Sequence, residues 1–205
     1  MSLRPGRRGL VFVVSGPSGG GKTTIVDRLR RRARRLERSV SVTTRLPRLG
    51  ERHGREYRFV TAAAFQRQRR ARRLLEWANV HGAWYGTPKA PVLEALRRGR
   101  NVMLSIDVQG ARQVRRALGR QAVLIFLLPP SLRQLRQRLM RRRTDTPASI
   151  RCRLAAAKRE LACAAWYDYS VVNDRLEHAV RNVQAIITAE RDRTNKARHH
   201  GTRPH

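Results

Sequence analysis

Residues Gly16-Pro17-Ser18-Gly19-Gly20-Gly21-Lys22-Thr23 fit the pattern G-x-x-x-x-G-K-[ST] and follow directly on the apolar stretch Leu10-Val11-Phe12-Val13-Val14. That stretch reads as a buried strand, and Thr24-Ile25-Val26-Asp27-Arg28-Leu29 opens a helical pattern, so the glycines fall at a strand-to-helix turn. With no side chains at Gly16, Gly19 and Gly21, backbone N–H groups can wrap phosphates while the following helix adds the positive end of its dipole. Lys22 would reach the β/γ-phosphates, and the Thr23 hydroxyl is the expected ligand for Mg2+, which usually keeps several waters and binds through substrate oxygens. A bare glycine turn is the plain alternative, and the strand before it and helix after it argue against that.

A chain of 205 residues can bury one good core with a small inserted subdomain, and hardly two full domains. A net charge of +32 and a pI near 12.0 would ordinarily suggest nucleic acid or an anionic membrane surface. The excess is 42 Arg against 4 Lys, spread through every segment rather than gathered into one arm, which looks like a global compositional bias. Specific nucleic-acid binding is therefore not expected, although salt-sensitive, non-specific sticking is. Cys152 and Cys163 form no C-x-x-C, so neither a zinc site nor a disulfide framework is indicated and a reducing cytoplasm is the better reading. The basic start, Arg4 to Arg8, imitates a signal peptide, but the apolar run after it is too short and leads into the phosphate loop. No run approaches the roughly 18 apolar residues of a membrane span.

Strands alternating with helices along the rest of the chain predict an α/β fold, a P-loop type of parallel sheet flanked by helices. Expected strands are Val40–Thr44, Asn101–Asp107, Ala122–Leu128 and Tyr169–Val172. Expected helices are the one ending in Arg30–Arg35, then Pro88–Arg98, Gln109–Leu118, Ser131–Met140 with Ser131 as N-cap, Ala148–Trp166, and Leu176 to about Asn195. The block from about 45 to 87 reads as an inserted small α/β subdomain, with an alternating, antiparallel-looking strand at Tyr57–Val60, a helix at Ala62–Arg73 and an extended segment at Leu74–Val80. The expected organisation is a basic N-terminal tail at 1–8, a domain over 9–195 with its core at 9–44 and 88–195, a mobile lid at about 136–150, and a disordered basic tail at 196–205.

Several segments in order, Ser41-Val42-Thr43-Thr44-Arg45-Leu46-Pro47-Arg48-Leu49-Gly50-Glu51, Gly54-Arg55-Glu56-Tyr57, Glu76-Trp77-Ala78, Tyr85-Gly86-Thr87 and Ile106-Asp107-Val108-Gln109-Gly110, resemble guanylate kinase from about Leu10 to Arg191. That resemblance implies transfer of the γ-phosphoryl group of ATP to GMP, giving ADP and GDP, by a core with a lid and an inserted GMP-binding subdomain. Arg45 and Arg48, three apart across a proline-containing turn, can bring two guanidinium forks to one phosphate. By resemblance these two hold the GMP phosphate together with Tyr57 and Tyr85. Glu76, an acid among apolar neighbours, suits guanine, whose N1–H and N2 amine a carboxylate can accept side by side; adenine offers no such pair. A solvated strand edge is the plain reading of the same residue. The resemblance adds Ser41, Thr87 and Asp107 as guanine contacts, and Trp84 reads as an ordinary core aromatic.

The resemblance also implies that Gly16, Pro17, Ser18, Gly19, Gly20, Gly21, Lys22, Thr23 and Thr24 bind ATP, that Arg138, Arg142 and Arg153 contact its phosphates or adenine, and that Asn173 lies near the adenine. Fixed positive charge around a loose phosphoryl-transfer transition state supplies most of the catalysis, and no general base is demanded. Two departures stand out. Ser105-Ile106-Asp107 replaces the family's usual Asp-Ile-Asp, and Arg141-Arg142-Arg143 stands where the lid usually carries glycines. Strand alternation would put Ser105 and Asp107 on one face. Rival readings are a related sugar-phosphate phosphokinase, which Glu76, Ser41 and Tyr57 argue against, and a non-catalytic guanylate-kinase-like binding domain, which an intact Gly21-Lys22-Thr23 argues against. Residue types alone leave the oligomeric state open.

Overall fold

The computed structural model describes residues 9–33, 36–80, 82–140 and 147–199. The elements in chain order are β1 (Val11–Ser15), α1 (Lys22–Arg32), β2 (Leu36–Arg38), β3 (Val42–Thr43), β4 (Arg58–Phe59), α2 (Ala62–Arg70), β5 (Leu74–Val80), β6 (Ala83–Pro88), α3 (Lys89–Arg97), β7 (Asn101–Ser105) and α4 (Val108–Leu118), then β8 (Ala122–Leu128), α5 (Leu132–Met140), α6 (Pro147–Ala162), β9 (Tyr169–Val172) and α7 (Leu176–His199). Two sheets result, a five-stranded one in the order β2-β7-β1-β8-β9 and a four-stranded one in the order β4-β3-β6-β5. The fold is α/β, with a parallel sheet flanked by helices. The chain divides into two compact units, Met1–Val11 with Arg35–Ala122 and Phe12–Arg34 with Val123–His205.

In the first unit β2 and β7 pair in parallel, Leu36 opposite Asn101. Asn101 is buried and its Oδ1 accepts from the Leu10 N–H at 2.9 Å, giving a main-chain donor a partner that the strand ladder does not provide. The four-stranded sheet packs Val42, Phe65 and Leu74 together, with Val60, Trp77 and Trp84 against them. Trp84 stacks on Phe65 at 5.9 Å between centroids, the core role expected of it. α1 stops at Arg32, short of the expected end at Arg35, and β2 lies where the sequence suggested no element, because Leu36-Glu37-Arg38 offers one apolar residue among charges and no period to read. β3 is shorter than the expected Val40–Thr44. The strand expected to be antiparallel at Tyr57–Val60 is β4, and it pairs with β3 in parallel, Val42 opposite Arg58. The long loop 44–57 returns the chain to the same end of the sheet before β4 starts, which a tight hairpin cannot do.

The α2 helix stops at Arg70, short of the expected Arg73. Arg72 adopts φ 52°, its N–H donates to Arg69 O and the Arg73 N–H donates to Gln68 O. Those two bonds make a Schellman closure with arginine at the position glycine usually takes, so no glycine marks the helix end in the sequence.

In the second unit β1 and β8 are buried throughout except at Leu128, as continuous apolar runs in a doubly covered sheet should be, and β8 pairs in parallel with β9. The Ser131 Oγ accepts from the Gln134 N–H at 3.1 Å, the expected N-cap of α5. Leu135 and Leu139 of α5 pack on Ala157 of α6. α6 ends at Ala162 and tightens into a 3-10 turn, Cys163–Trp166. Glu177 of α7 pairs with Arg28 at 2.7 Å and Arg32 at 2.9 Å, both on α1. α7 continues to His199, so the first residues of the stretch 196–205 extend the helix; a run of Glu, Arg, Thr, Asn, Lys and Ala is compatible with helix even without an apolar stripe. Residues 1–8, 200–205 and 141–146, the last including Arg142, lie outside the described residues.

Replacing Arg72 with glycine should stabilise the protein by about 1 kcal/mol, because only the arginine bears the left-handed backbone penalty there. Urea unfolding of Arg72→Gly against wild type measures it, and a lower stability in the variant would contradict the closure described.

Candidate active site

The first unit gathers the residues expected to receive the phosphoryl acceptor. Thr43 and Thr44 anchor the start of the loop after β3: Thr43 Oγ1 donates to Trp84 O at 2.9 Å, and Thr44 Oγ1 accepts from the Trp84 N–H at 3.0 Å. Arg45 leaves that anchor half-buried, and its guanidinium is held on every side. Nε donates to the Tyr85 hydroxyl at 3.1 Å, Nη1 to Leu46 O at 2.6 Å, and Nη2 to both carboxylate oxygens of Glu51 at 2.9 Å. Burial works against the charge on Arg45, but the hydrogen bonds to Glu51 and Tyr85 outweigh it and raise its pKa.

Tyr57 lies edge-on to Tyr85, ring centroids 5.9 Å apart, with the Arg45 guanidinium carbon 5.5 Å from the Tyr57 ring centre. Burial, helped by Tyr85, pushes the Tyr57 phenol pKa up, so it keeps its proton and remains a donor. Arg48 is exposed, and its main-chain N–H donates to Glu51 Oε2 at 2.8 Å. Glu51 thus ties Arg45 to the Arg48 main chain, a role for which the sequence carried one cue: an acid between arginines in a chain with 14 acids against 46 bases.

Glu76 is not on a solvated edge. It is 2 % exposed and Thr87, directly opposite on β6, is fully buried. The register between β5 and β6 shifts between Leu74 and Glu76, so Leu74 opposes Pro88 while Glu76 opposes Thr87. Such a bulge turns successive residues to the inside and re-aims a side chain. Here Leu74, Leu75 and Glu76 are all buried. The Thr87 Oγ1 donates to Glu76 Oε1 at 2.6 Å. Burial pushes the Glu76 carboxyl up to about 7, with the Thr87 hydrogen bond pulling down and the Asp107 charge adding to the rise.

Asp107 ends the turn between β7 and α4. Its Oδ1 accepts from the Gly110 N–H at 2.9 Å as the N-cap of α4, and Oδ2 accepts from Gln109 Nε2 at 3.1 Å. Because β7 stops at Ser105, the strand alternation expected to carry Ser105 and Asp107 onto one face stops there too. Ser41, half-buried just before β3, accepts from the Arg58 N–H through its main-chain oxygen at 2.8 Å.

The phosphate loop belongs to the second unit. Gly16, Gly19 and Gly21 have φ of 141°, 87° and 90°. A Cβ at Gly16 would run into the Leu127 carbonyl, and one at Gly21 would meet Asn173 Nδ2. α1 starts at Lys22 with no side-chain cap and no acid in its first turn, which leaves its leading N–H groups for an anion. Lys22 Nζ donates to Gly16 O at 2.5 Å and Pro17 O at 3.1 Å, spanning the loop; Thr23 and Thr24 are exposed on the first turn. Asn173 is buried under the loop, where its Nδ2 donates to Gly20 O at 2.7 Å, and Arg138 Nη2 donates to Asn173 O at 2.9 Å. Arg153 Nη1 lies 3.5 Å from Ser18 Oγ. Among the described residues no group of three or more His, Cys, Asp or Glu could hold a metal ion. The exposed Thr23 hydroxyl still suits Mg2+, which relies on phosphate oxygens and water more than on protein ligands.

Glu76 also leaves a mark on stability. The folded carboxyl titrates near 7 against an ordinary 4.5, so the folded state holds its proton between those values while the unfolded chain releases it. Stability linked to Glu76 is full below pH 4.5 and is lost as pH rises to about 7. The advantage of Glu76→Gln over wild type should therefore grow by about 3 kcal/mol from acid to pH 8. Urea unfolding at a series of pH values checks it, and a pH-independent difference would show that Glu76 is not desolvated.

The family model described as guanylate kinase matches residues 8–190. A guanylate kinase of Thermus thermophilus is 50% identical over 191 residues, 93% of this chain and 85% of that protein. One of Carboxydothermus hydrogenoformans is 46% identical over 184 residues, 90% of each. Among solved structures, that of guanylate kinase from Anaplasma phagocytophilum superposes with a TM-score of 0.77 at 31% identity, covering 91% of this chain and 88% of the other. Similarity of this extent, carried through both units, places the chain in the guanylate kinase family.

Proposed function

We infer that the protein transfers the γ-phosphoryl group of ATP to GMP, giving ADP and GDP. The observation that carries this reading is Glu76, a buried carboxylate set opposite Thr87 with its pKa raised to about 7. An acid held without water is stable as an anion only when fixed donors meet it. Guanine offers N1–H and N2–H in the side-by-side arrangement a carboxylate accepts, and adenine does not. Thr87 supplies a third donor from the protein. Ser41 and Asp107 are assigned to the same base by family membership.

The acceptor phosphate is held by Arg45, Arg48, Tyr57 and Tyr85. Arg45 Nε already donates to the Tyr85 hydroxyl, which leaves the Tyr85 O–H to donate to an oxygen of the incoming phosphate, while the Arg45 ends now on Leu46 O and Glu51 exchange those partners for it. ATP is assigned to Gly16–Thr24, with Lys22 moving from its own loop carbonyls to the β/γ-phosphates. Asn173 contributes by bracing Gly20 rather than by reaching for the base. Mg2+, held by Thr23 and phosphate oxygens, would neutralise charge on the transferring group. In the transfer a phosphate oxygen of GMP forms a bond to the γ-phosphorus while the bond from that phosphorus to the β-bridging oxygen breaks. Lys22, Arg138, Arg142 and Arg153 stabilise the charge spread over the moving group, and Arg45 and Arg48 align the acceptor. Arg138 is fixed through Asn173 O. Among the described residues no helix is long and apolar enough to cross a membrane.

Lys22→Ala should lower kcat by at least about a hundredfold with little change in unfolding midpoint, since the Lys22 ammonium reaches loop carbonyls and not the core. A coupled assay for ADP release measures the rate, and near-wild-type turnover would remove the phosphate loop from the mechanism.

GMP must meet the ionised form of Glu76. Its carboxyl titrates near 7, so kcat/KM for GMP should fall as pH drops below that value, approaching tenfold per pH unit. The phosphate of GMP gains its own proton near pH 6, roughly one unit lower. Glu76→Gln separates the two, because it should have a poor GMP-to-AMP ratio and keep only the lower titration. An unchanged ratio in that variant would move guanine recognition to other residues.

A further inference from the structure

Trp77 follows Glu76 on β5, an edge strand of the four-stranded sheet. Its main-chain groups are both taken by one side chain. Gln113 Oε1 accepts from the Trp77 N–H at 3.1 Å, and Gln113 Nε2 donates to Trp77 O at 2.7 Å. One amide side chain therefore imitates a neighbouring strand for a single residue and fixes the height of β5 beside Glu76. A turn earlier on the same face of α4 stands Gly110, buried, with its N–H held by Asp107. A Cβ at Gly110 would fall well inside contact distance of Glu76 Oε2 and 3.1 Å from Glu76 Cδ. The carboxylate cannot simply swing aside, because Thr87 pins its other oxygen and burial surrounds it. To reach ordinary contact distance it would have to retreat by about 1 Å.

We propose that Gly110 and Gln113 of α4 set guanine selectivity by positioning Glu76: Gln113 holds its strand through Trp77, and Gly110, lacking a Cβ, leaves the space its carboxylate fills. Both are positioning residues. The proposal rests on reading Glu76 as the guanine acceptor. A carboxylate displaced by an ångström no longer accepts both N1–H and N2–H with good geometry, and the penalty falls on GMP and not on AMP.

Gly110→Ala makes a sharp test, because alanine inside a helix is intrinsically favoured over glycine and a merely structural glycine would be improved by it. The test measures kcat and KM for GMP, AMP and ATP, with urea unfolding, for wild type, Gly110→Ala, Gln113→Leu and Glu76→Gln. Both α4 variants are expected to lower the GMP-to-AMP ratio of kcat/KM by at least about tenfold through KM for GMP, with KM for ATP unmoved. Gln113→Leu carries the test alone if Gly110→Ala does not fold. Folded α4 variants that keep the wild-type ratio while Glu76→Gln loses it would overturn the proposal and leave the guanine reading standing. A wild-type ratio in Glu76→Gln itself would overturn that reading and the proposal with it.

Discussion

A carboxylate stripped of water has to be met by donors placed in advance, and the first unit is arranged around that demand at Glu76. Thr87 answers one oxygen from across the sheet, and Gly110 makes room for the other on the helix side. The remaining desolvation raises the carboxyl pKa to about 7. An apolar residue there would escape that desolvation cost. On the guanine reading proposed above, retaining an acid trades stability for a site whose polar groups are completed by a ligand with matching donors, and rejection of a ligand without them follows from the same cost.

The acceptor loop solves a different problem, keeping strongly solvated cations in one place. Glu51 receives Arg45 through both oxygens and the Arg48 N–H through one, while Tyr85 takes the remaining edge of the Arg45 guanidinium. Other arginines are held far more loosely; the Arg97 and Arg98 pairs with Glu94, for instance, are largely exposed and worth little. In the second unit the phosphate loop is braced from beneath, with Asn173 on Gly20 and Arg138 on Asn173. A chain of two bonds thus links a loop that must keep three positive-φ glycines to a helix residue proposed to meet the phosphates.

Much of this was legible from residue order. The apolar runs at β1 and β8 declare buried strands, and the glycines between β1 and α1 declare a phosphate turn, because few other residues tolerate those dihedrals. Elements without such chemistry stayed hidden. β2 is three residues with one apolar side chain, and the end of α2 is closed by Arg72 where only a glycine would have announced it. β4 alternates as an antiparallel strand would, and its parallel partner was decided by the path of loop 44–57.

Sequence by itself determined the α/β alternation and the phosphate loop, and it supplied the side chains proposed here for guanine and its phosphate, since the first two follow from local dihedral preference and period and the last from functional-group chemistry and family resemblance. Only the tertiary structure decided how those side chains are used. An unbroken ladder from Leu74 opposite Pro88 would put Glu76 opposite Gly86; the bulge puts it opposite Thr87. Glu51, Gly110 and Gln113 gain their roles through partners brought to them by folding, and Asn173 is turned inward to Gly20. Which groups meet across a bulge, a loop and a helix face depends on packing between segments far apart in the chain, and no local pattern encodes it.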